Sequence, residues 1–480
     1  MSKSLAHKAT KSVLTLTSRT FILNIINFIG AFALTIFLSP ADFGVFILTS
    51  TVIDILVYFS DIGLAGALIQ KKEDLQDNEI HTTFTIQMGL VSLGILIASF
   101  FANNFKTFYN LDQLGIYLYF ALLLSFFLSS LKTIPSVISE RNLKFENIVI
   151  PQIIETVSFN AIVVFMAFKG FGIKSYIVAV LVRALTGTIS IYLLVRWKPK
   201  LGFDFKAIKK LLSFGIPYQL NSLIAVFKDR VSILILGKIL GLEAIGILGW
   251  AEKWANLPLR YFMDSTIKVA FPLFSRVQEN LDQAKASLEK ALYFISFLIL
   301  PSLAGAYLVM PLIIEIIPKY YKWQPGLNTF NLFLISAAIA SISTFLTNFL
   351  TAMGKVKQNL YLMIMWTSLT LILYPFFAFK FNFQGVAMAS IIISLTSLIP
   401  YLLVRKIIKF NLLKQIYPAF FASILMIIIV KLLDQFLFAG IYKLISATIL
   451  GAMIYLIIIF LLDKKNLLNQ VKTFLNYARK

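Results

Sequence analysis

The chain of 480 residues has no cysteine and only two histidines, His7 and His81. The first absence excludes disulfides and thiolate metal sites, and the second leaves no histidine pair for a metal or for acid–base catalysis. Charge is scarce too: 14% of residues are Asp, Glu, Lys or Arg, where a soluble domain carries about 25%. No phosphate-binding loop is found, because Gly237-Lys-Ile-Leu-Gly241 lacks the Lys-Ser or Lys-Thr ending that grips phosphate and Mg2+. The longest hydrophilic stretches, Gln70 to His81, Trp197 to Lys210 and Ser275 to Glu289, leave no room for a separate soluble domain. Neither a cofactor nor an enzymatic activity is expected.

What the chain has instead is hydrophobicity, at 59% of residues with a mean hydropathy of +0.84. Apolar runs of about 20 residues, the length that crosses a bilayer, recur throughout. The pattern predicts an all-α, polytopic membrane protein with about fourteen transmembrane helices. They fall near 13–38, 43–69, 82–102, 114–138, 148–168, 174–196, 211–237, 244–269, 290–312, 327–352, 358–379, 384–405, 415–435 and 440–462. The polar, basic stretch Met1 to Lys11 and the lack of a small-residue cleavage site predict that the first apolar run is retained as a helix.

A net charge of +22 would suggest nucleic acid in a soluble protein. Here the bases collect on alternate loops, with Lys198, Lys200, Lys206, Lys209, Lys210, Arg405, Lys406, Lys409, Lys464 and Lys465 on one side of the membrane. A roughly threefold bias of this kind places both termini in the cytoplasm and pairs the charge with anionic membrane lipid rather than nucleic acid. Within 275–289, Val277, Leu281, Ala284 and Leu288 recur at helical spacing, which predicts an interfacial amphipathic helix feeding the ninth span.

Two turns repeat at half length. Leu38-Ser-Pro-Ala-Asp-Phe-Gly44 follows the first span, and Leu240-Gly-Leu-Glu-Ala-Ile-Gly246 follows the seventh. Such duplication is common in transporters.

Ionisable groups inside spans are costly, about 2.5 to 3.5 kcal/mol each on insertion scales, and mark pathways. They concentrate in the first eight spans. The candidate lining is Arg19, Lys132, Arg183, Lys228, Arg230, Lys253, Asn256 and Arg260, with Asp54, Asp61, Glu155, Asp229, Glu252 and Asp264 as ion-coupling groups or salt-bridge partners, for example Arg230 with Glu252 or Arg19 with Asp61. Lys253, Asn256, Arg260 and Asp264 step by three or four residues and form one polar stripe. The surplus of bases predicts a cationic cavity suited to an anion such as a pyrophosphate or uronic acid.

Several segments together carry a resemblance: Leu38 to Gly44, Asp61-Ile-Gly-Leu-Ala-Gly-Ala-Leu-Ile-Gln-Lys71, Arg141-Asn-Leu-Lys-Phe145, Phe214-Gly-Ile-Pro217, Asp229 to Leu242, Phe271-Pro-Leu-Phe-Ser-Arg276 and Ala352-Met-Gly-Lys355. In this order the chain resembles the Wzx-type polysaccharide flippases, the fourteen-helix branch of the multidrug, oligosaccharidyl-lipid and polysaccharide exporter superfamily. The resemblance implies two six-helix lobes, 1–200 and 201–410, around a central cavity, with two further helices over 411–480. It also implies alternating access in the bacterial inner membrane and an undecaprenyl-pyrophosphate-linked oligosaccharide as substrate, for capsule, exopolysaccharide or O-antigen synthesis. A polysaccharide polymerase and co-polymerase would be its partners. A lipid II flippase and an ion-coupled multidrug exporter of the same superfamily are the alternatives, and an integral-membrane glycosyltransferase or polymerase is a third.

Overall fold

The computed structural model describes residues 3–61, 63–71, 73–205, 227–437 and 439–478, and describes side chains from Arg19 to Lys464 with Asp61 excepted. The first part of the expected seventh span (211–226), the segment Phe214 to Pro217 and the side chain of Asp61 therefore lie outside the described residues. Every regular element among the described residues is a helix, with no strand among them. The chain forms two compact units, Met1–Gly246 and Ile247–Lys480.

The first unit contains α1 (Lys3–Phe37), α2 (Pro40–Asp61), α3 (Leu64–Gln70), α4 (Asp77–Phe100), α5 (Ala102–Tyr109), α6 (Gln113–Ser130), α7 (Thr133–Arg141), α8 (Glu146–Phe168) and α9 (Lys174–Leu194). Helix α10 covers 227–240 of the described residues. Helix α11 (Leu242–Ala255) begins in the first unit and runs into the second. The second unit continues with α12 (Leu257–Arg276), α13 (Leu281–Ile316), a 3-10 segment (Pro318–Gly326), α14 (Leu327–Ala352), α15 (Val356–Leu395), α16 (Leu398–Ile407), α17 (Leu412–Leu432) and α18 (Ile441–Ala478).

Eleven segments among the described residues are long and apolar enough to cross a membrane. They contain twelve of the fourteen expected spans, because one segment, Val356–Ile407, holds two. Those two are separated at Phe381 and Asn382, whose backbone leaves the helical region, Asn382 with φ 55°. Of the remaining two, one lies mostly outside the described residues. The other, expected at 244–269, is divided at Asn256 into α11 and α12, with Pro258 in the first turn of α12 where its missing N–H costs nothing. Large apolar side chains point outward along the spans, Phe100 at 79% and Phe379 at 84% exposed among them, as lipid-facing surfaces require.

Two expected helices have other bounds than the sequence suggests. The second span, expected to reach 69, stops at Asp61, and Gly63 with φ 74° starts the short α3. Only glycine takes that conformation without steric cost. The expected interfacial helix over 275–289 is not separate: from Leu281 it is continuous with the span, in one helix of 36 residues. Ala284 and Leu288 are completely buried in protein rather than laid on a membrane surface.

Each unit has its own packing. In the first, Leu64, Ala67, Leu68, Phe84, Ile134 and Val137 join α3, α4 and α7. Arg141 locks that junction by donating to the carbonyls of Leu68, Lys71 and Glu73, so two of the segments that carry the resemblance meet. In the second, Trp250 stacks on Trp323 with ring centroids 5.3 Å apart, and Tyr320 and Phe330 complete a fully buried aromatic cluster.

Candidate functional site

The first unit encloses a cavity of about 750 Å³ between α2, α3, α6, α7, α8 and α9. Its position follows from a break in the fourth span. Helix α6 ends at Ser130 and α7 starts at Thr133, leaving Lys132 at the junction. Pro135 is the sequence cause: it has no N–H to give the Leu131 carbonyl four residues earlier. Helix α9 repairs the break. The Thr188 hydroxyl donates to the Leu128 carbonyl at 2.8 Å and the Tyr192 hydroxyl donates to the Leu131 carbonyl at 3.0 Å. Buried carbonyls freed at a helix end need such partners.

Lys132 then reaches the carboxylate of Glu155 on α8, with Nζ to Oε2 at 2.6 Å. Both side chains are largely buried, at 18% and 11% exposure. Room for the pair comes from Gly187 on α9, where a Cβ would lie 2.4 Å from Glu155 Oε2 and 3.1 Å from Lys132 Nζ. Arg183, one helical turn before Gly187, is exposed to the cavity and stands over the Phe159 ring, 5.7 Å from its centroid. Asp54 of α2 also lines the cavity and pairs with Arg230 of α10 at 3.2 Å. Asp54 is thus a carboxylate partner of Arg230.

The remaining candidates are placed as follows. Arg19 on α1 is half-buried, and its Nε has no hydrogen-bond partner. Lys228 pairs with its neighbour Asp229 at 3.2 Å on α10. Glu252, Lys253, Asn256, Arg260 and Asp264 belong to the second unit. Their stripe crosses the α11–α12 break, where the Asn256 amide donates to the Glu252 carbonyl at 3.1 Å.

The expected surplus of positive charge is not what lines this cavity. Its bases, Lys132 and Arg183, face three carboxylates, Asp54, Glu140 and Glu155. Ion pairing neutralises Lys132, and the excess counted over eight spans is spread across both units. Among the described cavity-lining residues Arg183 is the base without a carboxylate partner. Sequence reasoning missed the Glu140 carboxylate, and also Gln152 and the hydroxyls of Ser50, Ser125, Ser129 and Ser136, which supply most of the uncharged polar lining. Their cue was small polar residues recurring inside apolar runs.

The profile of the family described as polysaccharide biosynthesis protein matches residues 33–324. The succinoglycan biosynthesis transport protein of Rhizobium meliloti (strain 1021) is 22% identical over 56% of this chain, and the match spans 54% of that relative, about half its length. The teichuronic acid biosynthesis protein of Bacillus subtilis (strain 168) is 26% identical over 76% of this chain and 74% of its own. Among solved structures, an inward closed lipid II flippase superposes with a TM-score of 0.78 at 17% identity, covering 94% of this chain and 99% of that one. An inward-facing multidrug transporter of the MOP superfamily gives 0.63 at 12% identity, over 82% and 97%. These likenesses establish the fold. With more than half of its length matched by the family profile, this multi-pass membrane chain belongs to the polysaccharide biosynthesis protein family.

Proposed function

We propose that the protein is a flippase that carries an undecaprenyl-pyrophosphate-linked oligosaccharide from the cytoplasmic to the periplasmic leaflet of the bacterial inner membrane, with both termini in the cytoplasm. Membership of a polysaccharide biosynthesis family and a relative named as a succinoglycan transport protein support the substrate class. The observation that carries the reading is Arg183. A guanidinium exposed in a cavity of about 750 Å³, with no carboxylate on it, offers planar paired donors to a phosphate. The serine hydroxyls and the Gln152 amide around it suit sugar hydroxyls, which need both donors and acceptors.

In this reading the lobes 1–200 and 201–410 alternate access, and 411–480 adds the two last helices. Lys253 and Arg260 of the second unit contribute further bases to the path. Loss of the gene should abolish the surface polysaccharide, and the wild-type chain should restore it. The Arg183→Ala chain, present in the membrane at the same level, should restore less than a tenth, and Arg183→Lys an intermediate amount. Full restoration by Arg183→Ala removes the proposed anion contact.

A further inference from the structure

Helix α9 ends at Leu194, and the stretch from Arg196 to Asp204 that follows belongs to no regular element. It is tied to α4 by its backbone. The Gly202 N–H donates to the Thr85 hydroxyl at 3.0 Å, and the Asp204 N–H donates to the hydroxyl of the completely buried Thr82 at 2.9 Å. Thr85 gives its own proton to the His81 carbonyl at 2.8 Å, which leaves its oxygen to accept. Gly202 makes the approach possible, because a Cβ there would lie 2.9 Å from His81 Cβ. Trp197 fixes the start of the stretch, its ring centroid 5.2 Å from that of Phe84, and packs on the core that joins α3, α4 and α7.

Ties two residues apart give the stretch a period of two. Gly202 and Asp204 are half-buried against α4, whereas Leu201, Phe203 and Phe205 are 78%, 71% and 73% exposed. A loop in water turns its polar groups outward and hides its large apolar ones. Here the order is reversed: the polar backbone is turned in and three large apolar side chains are turned out. Arg196, Lys198 and Lys200, just before them, are exposed too, and no carboxylate occurs between Arg196 and Phe203. The stretch also starts at a membrane boundary, since α9 is long and apolar enough to span and its last turn presents Leu193 outward. Leu and Phe settle where headgroups meet acyl chains, and Lys or Arg beside them attracts anionic headgroups.

We propose that Arg196 to Phe205 is a binding site for anionic phospholipid. Leu201, Phe203 and Phe205 enter the leaflet beside the end of α9, and Arg196, Lys198 and Lys200 hold the phosphate headgroups. In the orientation proposed above this leaflet is the cytoplasmic one. Trp197 carries the contact inward, because the core on which it packs contains Val137 and is flanked by Ala65 and Ile69, and all three line the cavity. The occupied leaflet is thus one layer of side chains from the cavity wall. Lipid binding at this stretch requires no movement of oligosaccharide, so it is tested separately from the transport reading.

The absence of cysteine makes the test direct. Phe203→Cys and Asp204→Cys, each in the full chain, are labelled with nitrobenzoxadiazole and placed in vesicles of phosphatidylcholine and phosphatidylglycerol. Spin-labelled lipid should quench the probe at 203 at least about threefold more strongly than at 204, and iodide on both sides of the vesicle should not reach the probe at 203. In phosphatidylcholine alone, lipid quenching at 203 should fall by at least about twofold, and the triple variant Arg196→Gln/Lys198→Gln/Lys200→Gln should show the same fall in the mixed vesicles. Should Asp204→Cys fail to insert, the dependence on lipid composition at 203 decides alone. Equal lipid quenching at 203 and 204 overturns the site, as does quenching at 203 by iodide and not by lipid. Protection of 203 from both quenchers overturns it as well, and shows that protein, a second copy or another chain, covers the stretch. Lipid quenching that ignores phosphatidylglycerol overturns the assignment of an anionic ligand.

Discussion

Lys132 and Glu155 illustrate how an ion pair survives in an apolar setting. Each charge alone would lose several kcal/mol of hydration, and their contact at 2.6 Å offsets this only while both are present. Removing one partner leaves a buried charge. Lys132→Ala should therefore destabilise the protein by about 3–5 kcal/mol in detergent unfolding. The double variant Lys132→Ala/Glu155→Ala should lose less than the sum of the singles by at least about 1 kcal/mol, and strict additivity would show that the pair contributes no coupling. Gly187→Ala should cost about 1–3 kcal/mol by overpacking, because its new methyl meets the Glu155 carboxylate at 2.4 Å. An unshifted melting temperature in Gly187→Ala would mean that the pair can move aside. Neither effect was legible in the sequence. Lys132 and Glu155 could be singled out as expensive charges, but their contact depends on how two helices pack, and Gly187 reads as an ordinary helix glycine until its neighbours are known.

Among the elements, the breaks carry the site. Hydropathy identified the spans because every stretch in lipid must be apolar for about 20 residues, and that constraint acts one segment at a time. It does not distinguish a straight helix from a broken one. The α6–α7 break was available in Pro135 and the end of α2 in Gly63, yet both sit inside apolar runs that read as uninterrupted spans. What repairs the first break, Thr188 and Tyr192 on α9, has no local signature at all. Tyr192→Phe leaves the Leu131 carbonyl unsatisfied, so it should cost about 1–3 kcal/mol and loosen α7. Hydrogen exchange over Thr133–Arg141 should rise in that variant, and unchanged protection would show that the break is held by packing alone. The repeated turns are the opposite case: the match between Leu38–Gly44 and Leu240–Gly246 was visible in the sequence, but that the two turns touch each other was not.

For the whole molecule, the charge of +22 divides into charge on the loops and a small set inside the helices, part of which is paired. Lys132, Lys228 and Arg230 all have a carboxylate within 3.2 Å. In the cavity of the first unit, Lys132 and Arg183 stand with Asp54, Glu140 and Glu155, and Arg183 is the exposed guanidinium. In the proposed reading, a diphosphate group would be held at Arg183 through directed hydrogen bonds more than through bulk field, and affinity should fall only modestly with salt. Movement of the lipid-linked sugar itself is the most direct measurement. In vesicles containing the purified protein and a fluorescent undecaprenyl-pyrophosphate-linked oligosaccharide, the wild-type chain should transfer the headgroup between leaflets at least tenfold faster than protein-free vesicles, and Arg183→Ala should remove most of that gain. A wild-type rate equal to that of protein-free vesicles would contradict it.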